Sequence, residues 1–213
     1  MIYDIDIAKQ VAKSLLQINA IILQPNQPFK WAAGWNSPIY CDNRKTLSYP
    51  EIRTYIRQGL AAIVKNHYKG ANVIAGVATA GIPHGALVAE ELGLPFIYVR
   101  SKAKEHGKQN QIEGCFEKEQ SVVLVEDLIS SGKSSLKAAA TLKKAGMNVK
   151  GMVSIFSYGF DAAAKNFKNA DCEYVSLCDY NTLLPQAIKS QYIEKTDLSI
   201  LKKWRENPEI WGK

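Results

Sequence analysis

One stretch limits what this chain can become more than any other: Val122-Val123-Leu124-Val125-Glu126-Asp127-Leu128-Ile129-Ser130-Ser131-Gly132-Lys133-Ser134. It opens on aliphatic, mostly β-branched residues, which suit a strand buried on both faces. Two adjacent carboxylates stand where that strand should end, and small hydroxyl residues surround Gly132. Residues 136–145 are rich in Ala, Leu and Lys, which favours helix, and Gly146 supplies a C-terminal stop. The order is strand, acidic pair, small-residue loop, helix. Backbone N–H groups of residues 131–134, at a helix N-terminus, favour an anion the size of a phosphate. Glu126 and Asp127 cannot take that anion; they suit the hydroxyls of a ribose, or a divalent cation bound to it. Gly132-Lys133-Ser134 looks like the end of a P-loop, but that motif needs a glycine where Asp127 stands. An ordinary buried strand leading to a capped helix explains the valines and leaves the paired acids unexplained.

The rest of the chain frames this stretch. With 213 residues there is room for a single α/β domain, 1–213, with a substantial core, and little room for two. A net charge of +7 suits a polyanionic small substrate as well as nucleic acid, so charge alone decides nothing. Cys41, Cys115, Cys172 and Cys178 make no CxxC pair and no zinc-ligand spacing with the histidines, and free thiols are expected. No signal peptide or long apolar run is visible, so a cytoplasmic protein with no membrane partner is expected. Neither end carries a helix-turn-helix signal, and no nucleic-acid partner is expected.

In chain order, residues 6–19 place Ala8, Val11, Ala12, Leu15 and Ile18 on one helical face. Residues 21–24 suit a short strand, and 29–42 a hairpin turning at Gly34 and Asn36-Ser37-Pro38. A helix starts near Ser48 and Pro50, with Ile52, Tyr55, Ile56, Gly59, Leu60 and Ile63 inward and Arg53 and Arg57 on a solvated face. Residues 72–77 read as a buried strand whose exit, Ala78-Thr79-Ala80-Gly81, is a second glycine-bearing anion site before a small-residue helix. His84, at the start of that helix, suits packing or capping. Strand 96–100 leads into 101–114, a polar segment with Lys102, Lys104, His106 and Lys108, two glycines and no apolar period. Such a segment is a solvated loop or a lid over a charged leaving group. Strand 149–157, helix 161–169, strand 173–177 and a mostly helical 179–204 complete the chain, with Leu198, Leu201 and Trp204 as a packing face. Strands alternating with helices imply an α/β fold, a doubly wound parallel sheet flanked by helices. Ligands then bind beyond the carboxyl ends of the strands.

The 122–134 stretch resembles the phosphoribosyl-pyrophosphate (PRPP) motif of type I phosphoribosyltransferases. Two more segments resemble the orotate phosphoribosyltransferases within that family. Arg100-x-x-x-Lys104-x-His106-Gly107, followed by Ile112-Glu113-Gly114, is similar to their catalytic loop. Phe29, Gly34 and Ser37-Pro38-Ile39-Tyr40 are similar to their hood, formed here largely by the N-terminal ~45 residues. The resemblance implies transfer of ribose 5-phosphate from PRPP to orotate, yielding orotidine 5′-monophosphate and pyrophosphate in UMP synthesis. It implies catalytic roles for Arg100, Lys104 and His106, which also contact PRPP. Glu126 and Asp127 would hold the ribose hydroxyls, while Leu128, Ile129, Ser130, Ser131, Gly132, Lys133 and Ser134 wrap the 5′-phosphate. Ser130, Tyr40 and Cys41 would border orotate, and Thr79, Ala80 and Gly81 would cradle pyrophosphate. Mg²⁺ would be held mainly by PRPP. A homodimer is implied, with Arg100 reaching the neighbouring subunit's site. Enteric relatives carry basic residues where this chain has Ala32, Ala80, Ser101 and Tyr158, so those contacts need other sources. The alternatives are a phosphoribosyltransferase for another base and a PRPP-sensing regulator on the same fold.

Overall fold

The computed structural model describes residues 1–31, 34–102 and 111–212. Ala32, Lys104 and His106 lie outside the described residues. Helix α1 (Ile5–Gln17) begins at Asp4, whose carboxylate accepts hydrogen bonds from the N–H groups of Asp6 and Ile7 at 2.8 and 2.9 Å. Its buried face includes Ala8, Val11, Ala12 and Leu15, as the helical spacing requires. The hood follows as β1 (Ile21–Leu23), β2 (Phe29–Lys30), β3 (Asn36–Ser37) and β4 (Ile39–Cys41). The hairpin expected over 29–42 is only partly one. β2 pairs with β3, but β4 turns away and pairs antiparallel with β1, setting Cys41 opposite Ile21.

Then come α2 (Pro50–His67), β5 (Val73–Val77), α3 (Gly81–Leu92), β6 (Phe96–Val99), β7 (Ile112–Glu113), β8 (Ser121–Ile129) and α4 (Lys133–Lys144). β9 (Asn148–Ser157), α5 (Asp161–Asn169), β10 (Tyr174–Asp179), α6 (Tyr180–Lys189) and α7 (Leu198–Glu206) close the chain. The main sheet runs β10-β9-β8-β5-β6-β7, parallel throughout except for β7, which lies antiparallel on β6. Residues 112–113 were expected in the polar loop; they become strand because β6 offers them a free edge, a contact no local pattern encodes. The other edge, β10, is covered by the N-terminal residues through a bridge between Ile2 and Ser176.

Strand alternation divides the core in two. Val123 and Val125 of β8 face α1, α2, α3, α6 and α7, while Val122 and Leu124 face α4 and α5. All four are fully buried, and each contributes about 1.5–3 kcal/mol of transfer free energy. Arg53 and Arg57 do not form the solvated face expected of them. Arg53 donates to the Leu47 carbonyl at 2.9 Å, and Arg57 pairs with Glu91 of α3 at 2.8 Å. All four cysteines are free, and among the described residues no helix is long and apolar enough to cross a membrane.

The strand order decides where chemistry can occur. From β5 the chain first moves to one side, to β6, and then returns to the other, to β8. Loops leaving β5 and β8 therefore part in opposite directions, and a crevice opens at their carboxyl ends.

Candidate active site

Glu126, Asp127 and residues 78–81 meet at that crevice. Gly81 is packed so closely on β8 that an added Cβ would collide with the Val125 carbonyl and lie 3.3 Å from the Glu126 Cα. Only glycine lets the exit loop of β5, which contains a cis peptide between Ala78 and Thr79, sit beside the acidic pair. The structure thus brings the loop of Thr79, Ala80 and Gly81 beside Glu126 on β8.

β8 runs further than expected. Glu126 pairs with Ser154, Leu128 with Phe156 and Ile129 with Ser157 of β9, so the strand ends at Ile129. Leu128 and Ile129 therefore lie on the strand that leads into the loop, with the Ile129 side chain fully buried. The loop itself is 130–132. Gly132 adopts φ +75°, and a Cβ there would run into the Phe167 ring. The N–H of Leu136 closes the first helical bond on the Gly132 carbonyl at 2.8 Å. Lys133, Ser134 and Ser135 then have N–H groups with no intrahelical partner, aimed at the loop. From α5, Asn166 Nδ2 donates to the Ser131 carbonyl at 2.9 Å and braces the loop from behind.

The two acids are not equivalent. Glu126 is 6% exposed, and its Oε2 accepts from Ser135 Oγ at 2.8 Å while Oε1 accepts from the Asp127 N–H at 3.2 Å. Burial and the adjacent Asp127 charge push the Glu126 carboxyl well above its ordinary range. Burial also raises Asp127, but its hydrogen bond with Glu126 opposes that shift. Glu126 is the better proton holder, and Asp127 is the more exposed of the two.

Behind Asp127 stands a residue the sequence reading passed over. Asn43 is fully buried and donates from Nδ2 to the Asp127 carbonyl at 2.7 Å. Its Oδ1 accepts from Cys41 Sγ at 3.4 Å. Burial and the charges of Asp127 and Asp42 push the Cys41 thiol up, so it remains protonated and donates. Tyr40, next to it on β4, is 40% exposed and tilted against Phe29 at 5.7 Å. One amide thereby ties the hood to the acidic pair.

Residues 48–182 match the phosphoribosyl transferase domain family. Orotate phosphoribosyltransferases of Cytophaga hutchinsonii and Listeria innocua are 53% and 51% identical to this chain, over 96% and 97% of it and 98% and 99% of their own lengths. The chain belongs to the orotate phosphoribosyltransferase family. Among solved structures, Leishmania donovani UMP synthase superposes with a TM-score of 0.77 at 29% identity, covering 93% of this chain but 42% of that longer one. The orotate phosphoribosyltransferase of Aeropyrum pernix gives 0.75 at 26% identity, over 86% of this chain and 99% of its own.

Two departures from enteric orotate phosphoribosyltransferases can be followed in the structure. Ala80 caps α3 without a side chain to offer, leaving backbone N–H groups at the 78–81 loop. Tyr158 is 2% exposed and packed among Trp31, Phe156, Phe160 and Trp204, with ring centroids 5.3–5.6 Å away. It is core rather than a stand-in for a basic ligand. Arg100, just past β6, bonds through its N–H to the Gln111 carbonyl at 2.8 Å, and its guanidinium lies 3.4 Å from Glu113. Among the described residues no three His, Cys, Asp or Glu side chains come together as a metal cage. A single half-buried carboxylate such as Asp127 fits a cation whose other ligands come from a substrate. Ser135 and Asn166 were also missed. Ser135 reaches back across the turn to Glu126, and Asn166 reaches from α5 to the Ser131 carbonyl, contacts that only the folded turn and helix packing create.

Proposed function

We propose that this chain transfers the ribose 5-phosphate group of PRPP to orotate, releasing pyrophosphate and forming orotidine 5′-monophosphate for UMP synthesis. The observation that carries this reading is the pairing of the half-buried Asp127 with a glycine-capped helix N-terminus at the β5–β8 crevice, beside a hood anchored through Asn43. The bond from the anomeric carbon to the pyrophosphate oxygen breaks, and its electron pair leaves with pyrophosphate. A bond from an orotate ring nitrogen to that carbon forms, and the nitrogen proton is lost.

Asp127 meets the ribose hydroxyls, and Glu126, held by Ser135, stands behind it and keeps it oriented. Loop 130–132 and the first turn of α4 hold the 5′-phosphate through backbone N–H groups. Residues 79–81 receive the pyrophosphate, and Ser130, Tyr40 and Cys41 border the base. Lys104 and His106 close over the leaving group, and Arg100 acts in the neighbouring subunit of a homodimer. Swinging Arg100 out gives up, among the described residues, its long contact to Glu113, of the class of surface pairs contributing about 0–1 kcal/mol. Asp127 would help hold a substrate-bound Mg²⁺, which would supply charge neutralisation for the leaving group.

The test is the loss of orotate's ultraviolet absorbance on mixing protein, PRPP and Mg²⁺, beside parallel reactions with adenine, hypoxanthine or uracil. Orotate-only turnover, abolished by chelation, is the expected result; turnover of another base would overturn the choice of acceptor. Lys104→Ala should then lower kcat roughly a hundredfold with little change in KM for orotate. Small and equal effects on both would remove Lys104 from the lid.

A further inference from the structure

Everything proposed to handle PRPP lies within residues 48–182, the span that matches the general phosphoribosyl transferase domain. The acceptor must then be recognised partly by what lies outside that span, and the two outer parts meet. Trp31 of the hood packs edge-on against Trp204 of α7 at 5.6 Å and against Tyr158 at 5.3 Å. Asn36 Nδ2 on β3 donates to the Gly212 carbonyl at 2.9 Å. Arg205 Nη1 donates to the Gly159 carbonyl at 2.6 Å, in the turn that leaves β9. That turn is itself fixed to the phosphate side, since the Tyr158 N–H donates to the Ile129 carbonyl at 3.0 Å, one residue before Ser130. A cavity of about 260 Å³ separates the C-terminal segment from Trp35 and Ser131.

We infer that the C-terminal segment is a third wall of the base site, and that Arg205 and Asn36 are positioning residues for the acceptor. The inference rests on the proposed reading of the hood as the cover of the base. Its physical basis is that the hood is made of strands of two or three residues that cannot hold their own geometry. Burial of Ile21, Leu23 and Ile39 seats the hood on the core, and two further ties fix its ends. Asn43 ties one end to Asp127, and the C-terminal segment ties the other to the 158–160 turn through Trp204, Arg205 and Gly212. The aromatic contacts supply apolar burial, and the two hydrogen bonds fix the angle at which Trp31, Trp35 and Tyr40 stand over the crevice. Neither Arg205 nor Asn36 needs to touch the base. Releasing either lets the hood tilt, so the base loses its seat while PRPP, gripped by loops inside 48–182, keeps its own.

Asn36→Ala, Arg205→Ala and Arg205→Lys are compared with the unaltered protein in full kinetic titrations of orotate and PRPP. The two alanine variants should raise KM for orotate roughly tenfold, with KM for PRPP changed by less than about twofold. Arg205→Lys, which can still donate to the Gly159 carbonyl, should recover most of the loss. If both constants rise together, or neither moves, the inference fails, because then the segment only supports the fold. Should Arg205→Ala not fold, Asn36→Ala, which loses one exposed hydrogen bond, carries the test alone. If the unaltered protein turns over a different base, the functional reading falls on its own. The same variants are then titrated with that base, and an unchanged KM for it overturns the wall.

Discussion

Glu126 is held where its own charge is costly. Its carboxyl is buried beside Asp127, so the folded state holds a proton that the unfolded chain releases at lower pH. Stability therefore falls as pH rises from the ordinary carboxylate range through the raised value. Glu126→Gln keeps an acceptor for Ser135 and removes the charge. It should stabilise the ligand-free protein at pH 8 by about 1–2 kcal/mol, the worth of roughly one pKa unit, while weakening PRPP binding. Urea unfolding and calorimetric PRPP titration check both halves, and a loss of stability would contradict the account. His84 gives the opposite sign. It is 1% exposed, its Nε2 has no partner among the described residues, and burial lowers its pKa to about 4. The unfolded chain binds a proton there below about pH 6.5. Stability is thus lost as pH falls from about 6.5 to about 4, by about 3 kcal/mol in all. Subtracting the pH profile of His84→Leu from that of the unaltered protein should isolate this slope. The difference should be flat if His84 is not the source. The packing role read for His84 from sequence agrees with its burial, whereas Asn43 was illegible because its partner, Asp127, lies far away along the chain, and Ser135 because its contact with the nearby Glu126 forms only once strand and helix are folded against each other.

At the scale of elements, the turn between β8 and α4 depends on one residue. Gly132 has φ +75° and lies against Phe167. Gly132→Ala adds both a left-handed backbone penalty and overpacking, and should cost about 2–4 kcal/mol. Because the same turn aims the N–H groups of α4, KM for PRPP should rise more than KM for orotate; equal rises would argue against a phosphate role. Helices and buried strands were legible because periodicity and burial agree: α5 matches its expected span, and β5, β6 and β9 fall within a residue or so of theirs. The misses were of one kind. β7, the far end of β8 and the β1–β4 pairing depend on a neighbouring strand, and backbone pairing leaves little trace in a local pattern.

At the scale of the whole molecule, the proposed dimer makes a prediction no single chain can satisfy. If Arg100 acts across the interface while Lys104 acts within its own site, Arg100→Ala and Lys104→Ala proteins should each be nearly inactive. Mixed and allowed to exchange, they form hybrids with one intact site of two, and the mixture should regain about a quarter of the unaltered activity. No recovery after verified subunit exchange would place both residues in the same chain's site.

What the sequence settled by itself was the chemistry on offer and its order along the chain. Valines, two acids, hydroxyls and a glycine in succession already imply a strand, an acidic pair at its end and a turn into a helix, since each follows from local backbone and side-chain chemistry. The tertiary structure decided which groups face the crevice. Glu126 turned inward onto Ser135 while Asp127 stayed more exposed, Tyr158 went into an aromatic core, and the C-terminal helix came to rest against the hood. Those outcomes depend on strand order and on packing between elements, some of them as far apart in the chain as Trp31 and Trp204, where an apolar surface finds its partner by shape and burial rather than by any pattern in its own stretch of chain.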